Sequence, residues 1–126
     1  MTLRTSTVFV VDDDASVRTG IGRLLRVAGY DTRLYGDAST FLAEACQTSN
    51  ACIVMDLRMP GLTGISLQAE LASKGISMPV IIVTADEDTD TRQRARQAGA
   101  VSFFRKPVDG PALLDAIEWA VGEGKQ

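Results

Sequence analysis

The sequence predicts an α/β fold, a parallel sheet covered by helices on both faces. Four short apolar runs carry that reading: "VFVV" (8–11), "CIVM" (52–55), "VIIV" (80–83) and the weaker "VSFF" (101–104). They have the length and β-branching of strands buried on both faces. Segments with helical periodicity lie between them, and strand and helix alternate five times with connections of ordinary length. At 126 residues the chain is large enough to bury a core without staples and too small for two, so 1–126 reads as one domain.

Each element has its own signal. After the first run, Val17, Ile21, Leu24, Leu25 and Ala28 recur at helical spacing with Arg18, Arg23 and Arg26 opposite, and Gly29 follows as a stop. Gly20 and Gly22 weaken this helix locally. "YDTRLY" (30–35) alternates apolar and polar residues, which reads as an edge strand with one wet face. Asp37 then caps a short helix through Phe41, Leu42 and Ala45. "CIVMD" runs into the loop "LRMPGLTG" and a helix with Leu67 and Leu71 inward that stops at Gly75. After "VIIVT", the cap-rich "ADEDTD" precedes a helix from Arg92 to Ala98. Its inward stripe is small, Thr91, Ala95 and Ala98, and so holds it loosely. Asp109 and Pro111 open a last helix whose inner face is Leu113, Leu114, Ile117 and Val121.

Composition narrows the function classes. Hydrophobic residues are 45% and charged residues 23%, ordinary for a globular protein, and no apolar run is long enough to span a bilayer. The N-terminal "MTLRTSTVFVV" lacks the apolar core and cleavage site of a signal peptide, so the expected compartment is the cytoplasm. A net charge of -3 gives the domain no footprint for nucleic acid. Histidine is absent, which excludes imidazole acid/base chemistry and imidazole metal sites and leaves oxygen ligands for a hard cation such as Mg²⁺. Cys46 and Cys52 have neither CxxC spacing nor histidine neighbours and read as buried or half-buried thiols.

In open parallel sheets, ligands gather outside the carboxyl ends of the strands where the strand order reverses. Here those ends carry Asp12, Asp13 and Asp14 after the first run, Asp56 after the third strand, Thr84 after the fourth and Lys106 after the fifth. Three carboxylates within a few ångström repel one another and cost stability unless a cation sits among them. A divalent metal resolves that repulsion. An ionised Asp56 beside Mg²⁺ would attack a phosphoryl group while Lys106 and the Thr84 hydroxyl hold its oxygens, giving an aspartyl phosphate. Taken singly, Asp14 reads as a helix cap, Thr84 as an N-cap and Lys106 as a snorkelling surface lysine. Their conjunction at strand ends favours the site.

With those residues assembled, the sequence resembles the receiver domain of two-component response regulators over nearly its whole length. The motifs are "VVDDD…VR" (10–18), "VMDLRMPGLTG" (54–64), "VIIVTA" (80–85), "QAGA" (97–100) and "FFRKP" (103–107). The resemblance implies a flavodoxin-like (βα)5 doubly wound parallel sheet of strand order 2-1-3-4-5. It implies Mg²⁺ held by Asp13, Asp56 and the main-chain carbonyl of Arg58, with Asp12 holding it mainly through water. Asp56 would be the phosphoacceptor, fed by a phosphohistidine on a histidine kinase or phosphotransfer protein. Such a domain catalyses only its own phosphoryl transfer and dephosphorylation and is not otherwise an enzyme. Thr84 and Phe103 match the family's switch pair, with Phe where Tyr is frequent, and Lys106-Pro107 matches a step whose peptide bond is commonly cis. Arg58 and Asp86 match positions flanking the path of the hydrolytic water.

Trp119 lies nearly opposite the inner face of the last helix, which leaves its indole exposed. The bland reading is a scattered surface aromatic. The sharper one is an anchor for a phosphorylation-dependent homodimer or partner contact on the face of the fourth helix, fifth strand and fifth helix, with Arg92, Arg94 and Arg96 supplying salt bridges. The wording also resembles receivers that precede a LuxR-type DNA-binding output, so DNA would be reached only through an output segment absent from these 126 residues. Two other classes stay in view. A haloacid-dehalogenase-like phosphohydrolase would use Asp12 as nucleophile in a DxD, and a flavodoxin-like FMN binder would need a phosphate cradle with flanking aromatics.

Overall fold

The computed structural model describes residues 6–46, 48–57, 64–85 and 89–123. Strands β1 (Thr7–Val11), β2 (Asp31–Tyr35), β3 (Ala51–Met55), β4 (Val80–Thr84) and β5 (Ala100–Arg105) alternate with helices α1 (Ala15–Val27), α2 (Ala38–Glu44), α3 (Gly64–Ser73), α4 (Thr89–Gln97) and α5 (Gly110–Glu123). All strand pairs are parallel and the sheet order is β2-β1-β3-β4-β5, the doubly wound order that the motifs imply. No helix of the described residues is long and apolar enough to cross a membrane.

Period-two alternation divides the strands between two cores. Val8, Val10, Cys52, Val54, Ile81 and Val83 pack against α1 and α5 through Ile21, Leu25, Leu113 and Ile117. The intervening Phe9, Val11, Ile53, Met55 and Ile82 pack against α2, α3 and α4 through Phe41, Leu67, Leu71 and Ala95. Strands β1, β3 and β4 are buried along their whole length, which explains their unbroken apolar sequences.

Several elements depart from the sequence reading. The "VSFF" run is mostly half-buried or exposed rather than buried on both faces, as suits the sheet edge where the order 2-1-3-4-5 places it. In β2, the other edge, Arg33 is exposed but Tyr35 on the same face is buried against Phe9 and Phe41, so its wet face is shorter than the alternation suggests. Helix α4 begins at Thr89, ahead of Arg92; Ala95 is buried within it, whereas Ala98 is exposed beyond its end. Ala28 is likewise exposed past the end of α1. Ala120, missed as a core residue, is buried on α5. Cys52 is buried in β3, but Cys46, past the end of α2, is exposed.

Gly22 is buried where α1 crosses β2, and a Cβ there would meet Leu34 Cδ1 at 3.0 Å. This glycine lets helix and strand approach closely. At Gly20 a Cβ would have nothing within 4 Å, so no such contact explains it.

Candidate functional site

β1 and β3 run side by side while α1 and α3 leave on opposite faces, and the crevice between them opens at the carboxyl ends of the strands. Asp12 follows β1 and Asp56 follows β3. Asp56 donates its backbone N–H to the Val11 carbonyl at 3.1 Å, and Asp12 donates its own to the Tyr35 carbonyl at 3.0 Å, so sheet-like bonds carry both residues into the crevice. Asp12 is buried at 2% exposure and Asp56 at 6%, and Asp13 is exposed. Carboxylate oxygens of Asp12, Asp13 and Asp56 all lie within 4.8 Å of one another.

Lys106 enters from the end of β5. Its Nζ stands 2.9 Å from Asp56 Oδ2 and 3.0 Å from Asp12 Oδ2. The Lys106 N–H donates to the Thr84 carbonyl at 3.0 Å, tying the lysine to the tip of β4, and the Lys106-Pro107 peptide is cis. Thr84 itself is buried at 3% exposure.

Charge explains the balance of this cluster. Burial holds the Asp12 carboxyl above its ordinary range, outweighing the Asp14 N–H and Lys106, which pull it down. Burial works against the Lys106 ammonium too, yet hydrogen bonds and charge from Asp56 and Asp12 prevail and its pKa is raised. Among the described residues, three carboxylates, two of them buried, converge on the Lys106 ammonium. An all-oxygen donor set of this charge suits a small hard cation such as Mg²⁺, so the residues present fit the metal that the motifs imply.

Asp14 takes the bland role. Its carboxylate accepts from the N–H groups of Ser16 and Val17 and caps α1. Arg58 and Asp86 lie outside the described residues. Phe103 is half-buried, with the guanidinium of Arg92 5.4 Å and that of Arg96 5.1 Å from its ring centroid. Those two arginines, read in sequence as salt-bridge partners, thus stack on the ring, whereas Arg94 pairs with Asp90 one turn away. Trp119 is 60% exposed and Val101 45%.

Sequence reasoning missed Arg18, placed there on the outer side of α1. It is half-buried, and its Nη1 donates to the Asp12 main-chain carbonyl at 2.6 Å. The signal was present in the "VR" that closes the first motif, but nothing in the spacing showed that the side chain folds back over the strand end.

The family model of the response regulator receiver domain matches residues 8–118. The chain belongs to that family. Receivers are the phosphoacceptor modules of two-component signalling, and relatives of this one agree. It is 39% identical to Nodulation protein W of Bradyrhizobium diazoefficiens, covering 87% of this chain and 48% of that protein. It is 36% identical to the transcriptional regulatory protein TdiR of Thauera aromatica, covering 96% and 53%. The solved structure of the response regulator StyR superposes with a TM-score of 0.89 at 43% identity, over 97% of this receiver and 62% of that chain. The receiver therefore spans about half the length of the curated relatives it matches.

Proposed function

We propose that this receiver takes a phosphoryl group onto Asp56 from a histidine kinase or phosphotransfer protein, and that Asp12, Asp13, Asp56 and the Arg58 carbonyl hold the Mg²⁺ that the transfer needs. The observation that carries this reading is the Asp56 carboxylate, buried at the β3 tip 2.9 Å from the Lys106 ammonium and within 4.8 Å of two further carboxylates. When bound, Mg²⁺ supplies positive charge against the phosphoryl oxygens and the crowded carboxylates.

The protein's own groups do the rest. A carboxylate oxygen of Asp56 attacks phosphorus in line with the donor nitrogen or oxygen; the new P–O bond forms as the donor bond breaks, and the leaving group carries away the electron pair. Burial strips water from the nucleophile and from Lys106, so the ammonium stabilises the oxygens of the transferring group more strongly than it would in solvent. The Thr84 hydroxyl, at the next strand tip, donates to one of those oxygens. The chain catalyses only this transfer and the later hydrolysis of its own acyl phosphate.

Phosphorylation would then bias Thr84 and Phe103 between two arrangements. The Phe103 ring packs partly against the α2–α3–α4 core and lies beneath Arg92 and Arg96, so its inward movement would release both arginines and alter the face of α4, β5 and α5. That face would govern a homodimer or a partner. The printed name of TdiR, a transcriptional regulatory protein, and the double length of both relatives support a transcriptional output as what it controls; the LuxR type rests on the sequence resemblance. Two free cysteines, one of them exposed, support a reducing cytoplasmic setting.

Incubation with acetyl phosphate and Mg²⁺, followed by mass mapping of the acyl phosphate, tests the assignment. The label belongs on Asp56 and disappears in Asp56→Asn. A label at Asp12 that survives Asp56→Asn would instead support phosphohydrolase-like chemistry.

A further inference from the structure

Every polar group of Asp12 is held in place. Its N–H donates to the Tyr35 carbonyl, Oδ1 accepts from the Asp14 N–H at 2.9 Å, Oδ2 faces Lys106 at 3.0 Å, and its carbonyl accepts from Arg18 at 2.6 Å. The last bond reaches beyond Asp12, because the Asp12 carbonyl and the Asp13 nitrogen belong to one rigid plane. Turning that plane swings the Cα of Asp13 and redirects its exposed carboxylate.

Gly36, just past β2, points to the same bond. A Cβ there would stand 3.2 Å from Arg18 Nη1 and 3.5 Å from Cζ. Gly36 is not among the positive-φ glycines, which are Gly29, Gly75 and Gly99, so its backbone does not call for glycine. The space left by the missing side chain is where the guanidinium lies.

We propose that Arg18 is a positioning residue: by holding the Asp12 carbonyl it fixes the Asp12–Asp13 peptide and aims the Asp13 carboxylate at Asp56, preorganising the cation site. The inference rests on the reading of Asp12, Asp13 and Asp56 as that site. An arginine suits the task, since a charge-assisted bond to a carbonyl is strong and the planar guanidinium loses little freedom in making it.

Binding of Mn²⁺ alone, followed by the electron paramagnetic resonance signal of the free ion on the 126-residue chain, tests it. Arg18→Met should weaken Mn²⁺ affinity about tenfold or more, the scale on which partners that orient metal ligands act. Arg18→Lys should recover part of the loss, and Gly36→Ala, which crowds the guanidinium, should weaken binding in the same direction. In an Asp13→Asn background, Arg18→Met should add little, because the two then act through one ligand. Denaturant midpoints without metal separate a fold defect from a site defect, and Gly36→Ala carries the test if Arg18→Met does not fold.

Wild-type affinity in Arg18→Met, or full additivity of Arg18→Met with Asp13→Asn, overturns the inference and leaves the phosphoacceptor reading standing. Failure of the wild-type chain to bind Mn²⁺ overturns both.

Discussion

Asp12→Asn should stabilise the metal-free protein at pH 7 and gain less than the wild type when Mg²⁺ is added. Without metal, Asp12 is a buried carboxylate whose pKa is raised above 3.8 chiefly by desolvation, and that net direction already includes the attraction of Lys106. A carboxyl raised in the native state binds more protons there than in the unfolded chain. Stability therefore falls as pH rises from 3.8 through the native pKa, and the deficit persists at pH 7. Asparagine has no charge to bury and keeps an oxygen for the Asp14 N–H, so the metal-free variant should melt above the wild type at pH 7, with the gap closing at acid pH. Mg²⁺ at one hundred times its Kd adds about 2.7 kcal/mol to the wild type. With an unfolding entropy of about 2.1 cal/mol/K per residue, that is about 10 °C in Tm for a chain of this length. If the variant binds about tenfold more weakly, it forgoes about 1.4 kcal/mol, or about 5 °C, at the same Mg²⁺ concentration. Thermal melts of both proteins, with and without Mg²⁺, read all four values. An Asp12→Asn protein that melts below wild type without metal, or one that gains as much from Mg²⁺, would refute the reasoning.

Three further outcomes follow from packing. Gly20→Ala should raise stability by about 0.5–1 kcal/mol through helix propensity, whereas Gly22→Ala should be near neutral because its Cβ meets Leu34 Cδ1 at 3.0 Å; urea midpoints distinguish them. Thiol titration should count one reactive cysteine in the native protein and two in denaturant, since Cys46 is exposed while burial pushes the Cys52 thiol up to about 12. Replacing Arg92 and Arg96 together by alanine should cost about 1 kcal/mol in denaturant unfolding through loss of their stacking on Phe103, and an unchanged midpoint would show the stacking to be idle.

Much of this protein was legible in one dimension because local rules and tertiary demands coincide. A strand buried on both faces must be apolar throughout, so "VFVV", "CIVM" and "VIIV" announced a parallel sheet, and the change to aspartate, threonine or lysine at the ends of β1, β3, β4 and β5 marked the crevice. The pairing of Lys106 with Asp56 and Asp12 follows from that placement. What sequence periodicity could not settle were the side chains whose surroundings come from distant segments. The apolar pattern of "VSFF" alone reads like a strand buried on both faces, and only the strand order carried by the family motifs placed β5 at the edge where it lies. Arg92 and Arg96 read like salt-bridge partners and instead cover Phe103, which is distant in sequence but adjacent across α4 and β5. Arg18 lies on the polar side of its helix by every periodic criterion, yet its reach of several ångström and the gap left by Gly36 carry it back to the strand end. Periodicity reports which way a Cβ points; where a long flexible side chain places its charge depends on the space and the acceptors that the folded neighbours leave.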